Sequence, residues 1–405
     1  MKTAILFSAL FLLSICGFSQ QTVKDTIIMR NISAKTMWDG HVMNVYGFGP
    51  DIGTVPVPGP TLICNEGDTL NIFTLNISQG SGHTIHPHGM DVPQNMDGVH
   101  ETSFEITHMM DTNLIWVATQ AGTYIYHCHM ASVLHVQMGM YGSIIVRAAG
   151  GAKTAWTGGP AFDKDCLWLM SEMDSYWHDS LPGSAFWEDD FQVPPYNPGY
   201  FLINGLSKAQ LNDASVAISA KVGEKVYLRL SNIGYYMNEV ILPSSLSPVI
   251  LVSDGRPLPV SIPGDTIRLV PGERYEVMLT PSQEFPFTAQ VRYLDMNNLE
   301  VHEVEYVPIT ISGVIGREES FSEKRGIKVW PNPASESVKI DVGNFPTNEA
   351  IVEIRDISGI LIQSTPFPMA ATREFMIDLS GIPSGIYSIG IRSRSFAEFR
   401  KLIIQ

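Results

Sequence analysis

The sequence predicts an all-β protein: two tandem Greek-key β-sandwiches followed by a small C-terminal β-sandwich. Three observations carry this expectation. Short apolar stretches, punctuated by many of the 34 Gly and 26 Pro and by Asn/Asp turns, run from residue 22 to 312 with no helix of convincing period. One turn-and-strand pattern occurs twice in that span. Beyond a polar run, alternating strands resume as a shorter set near the C-terminus. Composition agrees. With 44% hydrophobic, 10% aromatic and 17% charged residues, 405 positions suit two or three folded domains and exclude a mostly disordered chain. The net charge of −15, from 26 Lys+Arg against 41 Asp+Glu, argues against nucleic acid as a partner.

Residues 1–19 read as a signal peptide. Lys2 is a short basic start, and Ala4 to Ile15 is an apolar core too short to span a membrane in the mature chain. Gly17 and Ser19 are the small residues that set cleavage after Ser19. Cys16 raises a lipoprotein alternative, but Ile15 stands where a lipobox wants a small residue. No later stretch reaches about 18 apolar residues, so the mature chain is expected to be soluble and exported through the periplasm.

Residues 22–150 are the expected first sandwich and 160–312 the second, joined near Gly150–Pro160. In the first, Pro58-Gly59-Pro60-Thr61 leads into Glu66-Gly67-Asp68-Thr69-Leu70. In the second, Asn204-Gly205 leads into Val222-Gly223-Glu224-Lys225-Val226. Each reads as a turn followed by a strand that ends the first hairpin of its half. The closing segments, Gly122 to Val146 and Phe287 to Ile311, match in length.

The chemistry lies in the first half, where eight of the eleven His fall between residues 83 and 135. One cluster is His83-Thr84-Ile85-His86-Pro87-His88-Gly89; the other is Tyr126-His127-Cys128-His129, followed by His135 and Met140. Alternate residues of a strand face opposite sides, so His86 and His88 share a face, and so do His127 and His129. Cys128 points the other way, and His83 has the parity to join it. Two sites back to back follow. Two imidazoles, a thiolate and a thioether, from His83, Cys128, His135 and Met140, are the ligand set of a blue-copper electron-transfer centre, with Met138 as the competitor for the last place. The His86, His88, His127, His129 quartet suits copper or zinc. The other methionines nearby, Met90, Met96, Met109, Met110 and Met130, read as flexible core filler. Glu66 and Asp68 read as turn formers. His100 and His108 are left without a role. Cys64 and Cys166 lie one in each half, so a disulfide between them would have to cross between domains.

HTIHPHG and YHCHMASVLHVQMGMYG resemble the copper motifs of multicopper oxidases, specifically those of a cupredoxin domain bearing a blue copper. Pro58-Gly59-Pro60-Thr61 and Asp97-Gly98 extend the resemblance through the first half; Phe201-Leu202-Ile203-Asn204-Gly205, Asp254-Gly255 and Pro271-Gly272-Glu273-Arg274-Tyr275 carry it into the second. The resemblance implies type 1 copper ligands at His83, Cys128, His135 and Met140, and half of a type 2/type 3 copper cluster at His86, His88, His127 and His129, which would be the catalytic residues. It also implies a small-molecule or metal-ion electron donor and O2 as acceptor. Six residues separate Cys128 from His135, where three-domain oxidases usually have four, which favours a two-domain member.

The second half lacks the other half of the cluster. Arg292-Tyr293-Leu294 stand opposite His127-Cys128-His129, and the expected imidazole pair reads Asn238-Glu239-Val240. Its only His are His178 and His302, both read as ordinary surface residues. Three copies in a ring would let each second domain cap a neighbour's quartet. Three functions therefore stand: an oxidase-like enzyme, a blue-copper electron-transfer or copper-binding protein, and a copper nitrite reductase-like enzyme using His88 and His127 with His302 as a third ligand. Against the last, His86 stands where such enzymes need Asp.

Residues 313–326, including Gly316 to Lys324, read as a linker, and 327–405 as the third sandwich. Lys328-Val329-Trp330-Pro331-Asn332-Pro333 and Leu379-Ser380-Gly381-Ile382-Pro383-Ser384-Gly385-Ile386-Tyr387 resemble the C-terminal sorting domain of the Bacteroidetes type IX secretion system. The departure is terminal Gln405, where the family often ends on a basic residue. The resemblance implies type IX secretion machinery as a partner and a secreted or cell-surface destination.

Overall fold

The computed structural model describes residues 20–53, 55–80, 82–180, 194–313, 327–341, 350–356, 359–367, 374–392 and 397–405. The expected signal peptide, and the expected linker apart from Gly313, lie outside them.

Turn residues and alternating apolar positions cut the first part into β1 (Thr22–Thr36), β2 (Val42–Gly49), β3 (Leu62–Asn65), β4 (Thr69–Asn76), β5 (His86–His88), β6 (Asp111–Val117), β7 (Gly122–His127) and β8 (Tyr141–Arg147). They form two four-stranded sheets, in the orders β2-β1-β4-β6 and β3-β8-β7-β5. Ile27, Met29, Leu70, Ile72, Leu114 and Trp116 from one sheet meet Leu62, Tyr124, Tyr126, Ile144 and Val146 from the other in one core. One short helix interrupts the strands, α1 (Ser132–Gln137), where no helix was expected. It is under two turns long, so no amphipathic period could announce it.

The second part holds β9 (Lys164–Met173), α2 (Ser175–Asp179), β10 (Tyr200–Ile203), β11 (Ile218–Lys221), β12 (Val226–Asn232), β13 (Met237–Ile241), β14 (Val249–Ser253), β15 (Arg256–Pro263), β16 (Thr266–Leu269), β17 (Arg274–Leu279), β18 (Phe285–Leu294) and β19 (Val301–Ser312). Its sheets run β10-β9-β12-β17-β14-β15 and β11-β19-β18-β13-β16. The repeat is exposed in the pairing. β1 runs parallel to β4 as β9 does to β12, and β3 runs parallel to β8 as β11 does to β19. The expected first hairpins do not form. The turns at Gly67 and Gly223 carry the chain from one sheet to the other, because β4 and β12 find parallel partners in the opposite sheet.

Two smaller sheets close the chain: β20 (Lys328–Trp330), β21 (Ser337–Asp341) and β24 (Glu374–Asp378); and β22 (Ile351–Asp356), β23 (Leu361–Pro366), β25 (Gly385–Arg392) and β26 (Ala397–Ile404). They share a core of their own around Val338, Ile340, Val352, Ile354, Ile389 and Ile391.

The first two sandwiches are packed together. Met37, Met43, Val45, Val57, Ile125, Val136 and Tyr141 of the first share a buried cluster with Leu169, Met173, Leu202 and Ile233 of the second. Full burial of such side chains is worth roughly 1.5–3 kcal/mol each. A buried polar knot adds specificity: Thr123 Oγ1 donates to Glu276 Oε1 at 2.5 Å, and Arg229, 1% exposed, lies 3.1 Å from that oxygen and 2.6 Å from Asp165. His178 belongs to this contact and is not a surface residue. It is 2% exposed, with Nδ1 2.6 Å from the Asn44 carbonyl and Nε2 3.3 Å from Gln137 Nε2. His302 keeps 31% of its side chain exposed and packs, tilted, against the Tyr236 ring. Cys64 and Cys166 are free thiols, one in each sandwich.

Candidate metal centre

β5 is an edge strand, so Pro87 costs it no ladder partner, and the flanking His86 and His88 project to one side. His86 pairs directly with His127 across β5 and β7. Cys128 follows β7 with the opposite parity and is fully buried. The backbone therefore separates a thiol from a group of imidazoles, as the alternation predicts.

On the thiol side, His135 Nδ1 lies 3.2 Å and His83 Nδ1 3.6 Å from Cys128 Sγ. The His83 and His135 rings stand 4.7 Å apart, both wholly buried. Ser78 Oγ holds His83 Nε2 at 2.9 Å, which leaves Nδ1 to face the sulfur. The long spacing after Cys128 leaves room for α1, which starts at Ser132 and carries His135. His135 sits in its last turn, its N–H bonded to the Ala131 carbonyl. Gly139, at φ +113°, then reverses the chain where a side chain would strike Val57 and the Tyr46 carbonyl. This returns Met140, whose N–H bonds the His135 carbonyl at 2.9 Å while its carbonyl accepts from Cys128 N–H at 3.1 Å. Met140 is thus tied by backbone bonds to both neighbouring donors. Met138 closes α1, its N–H bonded to the Leu134 carbonyl and its own carbonyl accepting the Tyr46 N–H. The result is a type 1-like His-Cys-His-Met site.

On the other side, one ligand atom from each of His86, His88 and His127 lies within 4.8 Å of the others. The His86 and His127 rings are 5.2 Å apart. Asp97 fixes His86, its carbonyl 2.8 Å and its Oδ1 3.2 Å from Nδ1. The Cys128 carbonyl lies 3.0 Å from His127 Nδ1. In both rings Nε2 is the nitrogen left for a metal. His129 lies beside the trio, its ring 5.4 Å from His86 and 6.0 Å from His127, and one of its ligand atoms also lies within 4.8 Å of His100 and Glu101.

Burial sets the protonation. It pushes the Cys128 thiol up to about 11 and His135 and His127 down to about 3. His83 is held well below its ordinary value by burial and by His135. His88 is brought down to about 4 by burial, then by Arg274 and His86. These imidazoles are neutral at pH 7 and offer lone pairs, as a divalent metal requires.

The second sandwich reaches this site without an imidazole. Gly272 abuts His88 at φ +89°, where an added Cβ would lie 3.1 Å from Cε1, and the Arg274 guanidinium lies against Gly89. At the strand positions mirroring His86 and His127, Glu239 pairs with Arg292, the two joined by a 3.1 Å ion pair. Tyr293, next in line, is buried and donates to the Leu202 carbonyl.

Sequence reasoning missed Ser78, Thr84 and the support given by Asp97. Thr84 is buried and its Oγ1 accepts the His129 N–H at 2.9 Å. No spacing rule marks such second contacts. His108 serves the Ser78 carbonyl at 2.6 Å. Of the methionines, Met90, Met96 and Met130 pack on the core, but Met109 and Met110 are exposed and are not filler.

A family model described as multicopper oxidase matches residues 55–150, and one described as secretion system C-terminal sorting domain matches residues 328–405. The blue copper oxidase of Nitrosomonas europaea, a solved structure, superposes with a TM-score of 0.57 at 25% identity, covering 73% of this chain and 86% of that one. Residues 55–150 are thus a cupredoxin segment of the multicopper oxidase type, and residues 328–405 a C-terminal secretion sorting domain. Among curated relatives, copper resistance protein A of Escherichia coli is 34% identical over 142 residues, 35% of this chain and 21% of that protein. A copper-containing nitrite reductase of Alcaligenes xylosoxydans xylosoxydans is 28% identical over 184 residues, 42% of this chain and 53% of that protein. The chain thus spans about half or less of these relatives' lengths. The similarity of the first sandwich is to copper oxidases and copper-containing nitrite reductases, and the sorting domain implies secretion or a place on the cell surface.

Proposed function

We propose that the chain is a secreted copper oxidoreductase that takes single electrons from a small-molecule or metal-ion donor and delivers them to an acceptor, O2 by its family. The observation that carries this is the back-to-back arrangement. Two Nδ1 atoms face Cys128 Sγ on one side of a strand end, and three imidazoles gather on the other. Copper bound by His83, Cys128, His135 and Met140 would supply a one-electron couple, and copper bound by His86, His88 and His127 would supply a place for the acceptor. The protein's own contribution is fixed geometry. Ser78, Asp97 and the Cys128 carbonyl orient the rings, and the His127-Cys128-His129 backbone links the two sides covalently. Residues 22–150 and 160–312 are the two cupredoxin units of this reading, the second ligand-poor, and residues 1–19 direct export.

One observation favours a second reading, a blue-copper electron-transfer protein. The second sandwich presents Gly272 and Arg274 to the imidazole trio, where a full cluster needs more ligands. Copper counting with visible and electron-spin spectra separates the readings. Oxidase function requires intense blue absorption, more than one copper per chain, and O2 uptake with an added donor. Blue absorption with one copper and no uptake assigns electron transfer. Blue absorption that survives Cys128→Ser refutes the type 1 site itself.

A further inference from the structure

His129, at the edge of the quartet, also belongs to a third set of possible ligands. One ligand atom from each of His100, Glu101 and His129 lies within 4.8 Å of the others. His100 Nδ1 is 3.1 Å from Glu101 Oε2, and the His100 and His129 rings are 6.4 Å apart. His129 Nδ1 is shut off from solvent and has no hydrogen-bond partner among the described residues. A buried imidazole nitrogen without a partner is costly unless something binds it.

The chain holds this group deliberately. His100 and Glu101 sit at the tip of a tight turn, closed by the Thr102 and Ser103 N–H groups on the Val99 carbonyl and by Gly98 N–H on Ser103 Oγ. That same turn supplies Asp97 to His86. Exposure falls from Glu101, with 61% of its side chain open, to His100 with 33%, and on to the trio's His127, which is buried. The open end faces water, so the cation would come from solution.

We propose that His100, Glu101 and His129 form a third metal site, a two-imidazole, one-carboxylate set for a borderline divalent cation such as Cu²⁺, at the solvent side of the imidazole trio. It neither uses the thiol nor requires the type 1 assignment. The set holds its ion through ligands of which two lie outside every motif named above.

The test is equilibrium dialysis of the full chain against buffered free Cu²⁺, with copper counted per chain. The double variant His100→Ala/Glu101→Gln should bind one copper fewer than the parent at the same free Cu²⁺, with any blue absorption unchanged. Glu101→Gln alone should weaken that copper at least tenfold. His88→Ala should cost a copper of the trio and leave the rim copper in place, seen as a further copper lost when the three substitutions are combined. Equal counts in the parent and the double variant overturn the site. So does a triple variant that loses no more than His88→Ala alone, since His129 would then belong to the trio. A chain without blue absorption that still shows the rim copper would fail the proposed function and uphold this site.

Discussion

Glu172 offers a test in which the structure sets the size of the effect. Its carboxyl is 4% exposed and lies where β9 passes behind α1. One oxygen accepts N–H bonds from Tyr235 and Tyr236, the other has no partner, and its backbone carbonyl takes Gln137 Nε2 at 3.1 Å. Burial pushes this carboxyl up from 4.5 to about 7, against the pull of those N–H bonds. A raised carboxyl keeps its proton in the fold where the unfolded chain has lost it. Stability is therefore complete below about pH 4.5 and declines as pH rises through about 7. The loss is roughly 3 kcal/mol by pH 8. Glu172→Gln keeps an oxygen for the two N–H groups and removes the titration. Relative to the parent, its stability should gain roughly 3 kcal/mol between pH 4.5 and 8, which is about 6–10 °C in Tm for a unit of this size. Scanning calorimetry of both proteins at pH 4.5, 6 and 8 measures it. A Tm difference that stays constant across the three values refutes the reasoning.

Ser78→Ala removes the group that orients His83 and should weaken copper at the Cys128 side about 10- to 100-fold, read by competition with a chelator. Loading copper at that side at pH 7 should release one proton, from the Cys128 thiol, because His83 and His135 are already neutral. A pH indicator should record that release and find it gone in Cys128→Ser. Gly272→Ala forces a side chain into positive φ and against His88, and should cost about 1–3 kcal/mol in a denaturant titration while leaving blue absorption intact.

The parity of His86, His88, His127, His129 and Cys128 was legible because a strand has a period of two, and the structure places the thiol and the imidazoles on the sides that parity dictates. The doubled sandwich was legible from its turns, but the hairpins were not. A turn such as that at Gly67 says where the chain reverses and not which sheet receives it. α1 was hidden by its shortness, although the six-residue spacing between Cys128 and His135, into which its first turn falls, is plain in the sequence. His178 was misread because its acidic, aromatic neighbours look like a loop, whereas the first sandwich covers it. His100 and Glu101 join the site from a separate turn, and only tertiary packing brings them to His129.

β7 is buried on both faces over its whole length. Nothing in its polarity alone therefore says which face should be which. A pairing error of one residue against β5 and β8 would turn Cys128 toward His86 and leave His127 in a wall meant for sulfur. Both sets of ligands would be scrambled by a single mistake, and neither could be repaired separately. Correct alignment rests on anchors away from these side chains: Gly122 wedged against Gly255, and the Tyr126 hydroxyl 2.6 Å from the Pro60 carbonyl. An ion that binds only the correctly aligned strand lowers that state alone, so copper bound there would act as a proofreader of this chain's folding.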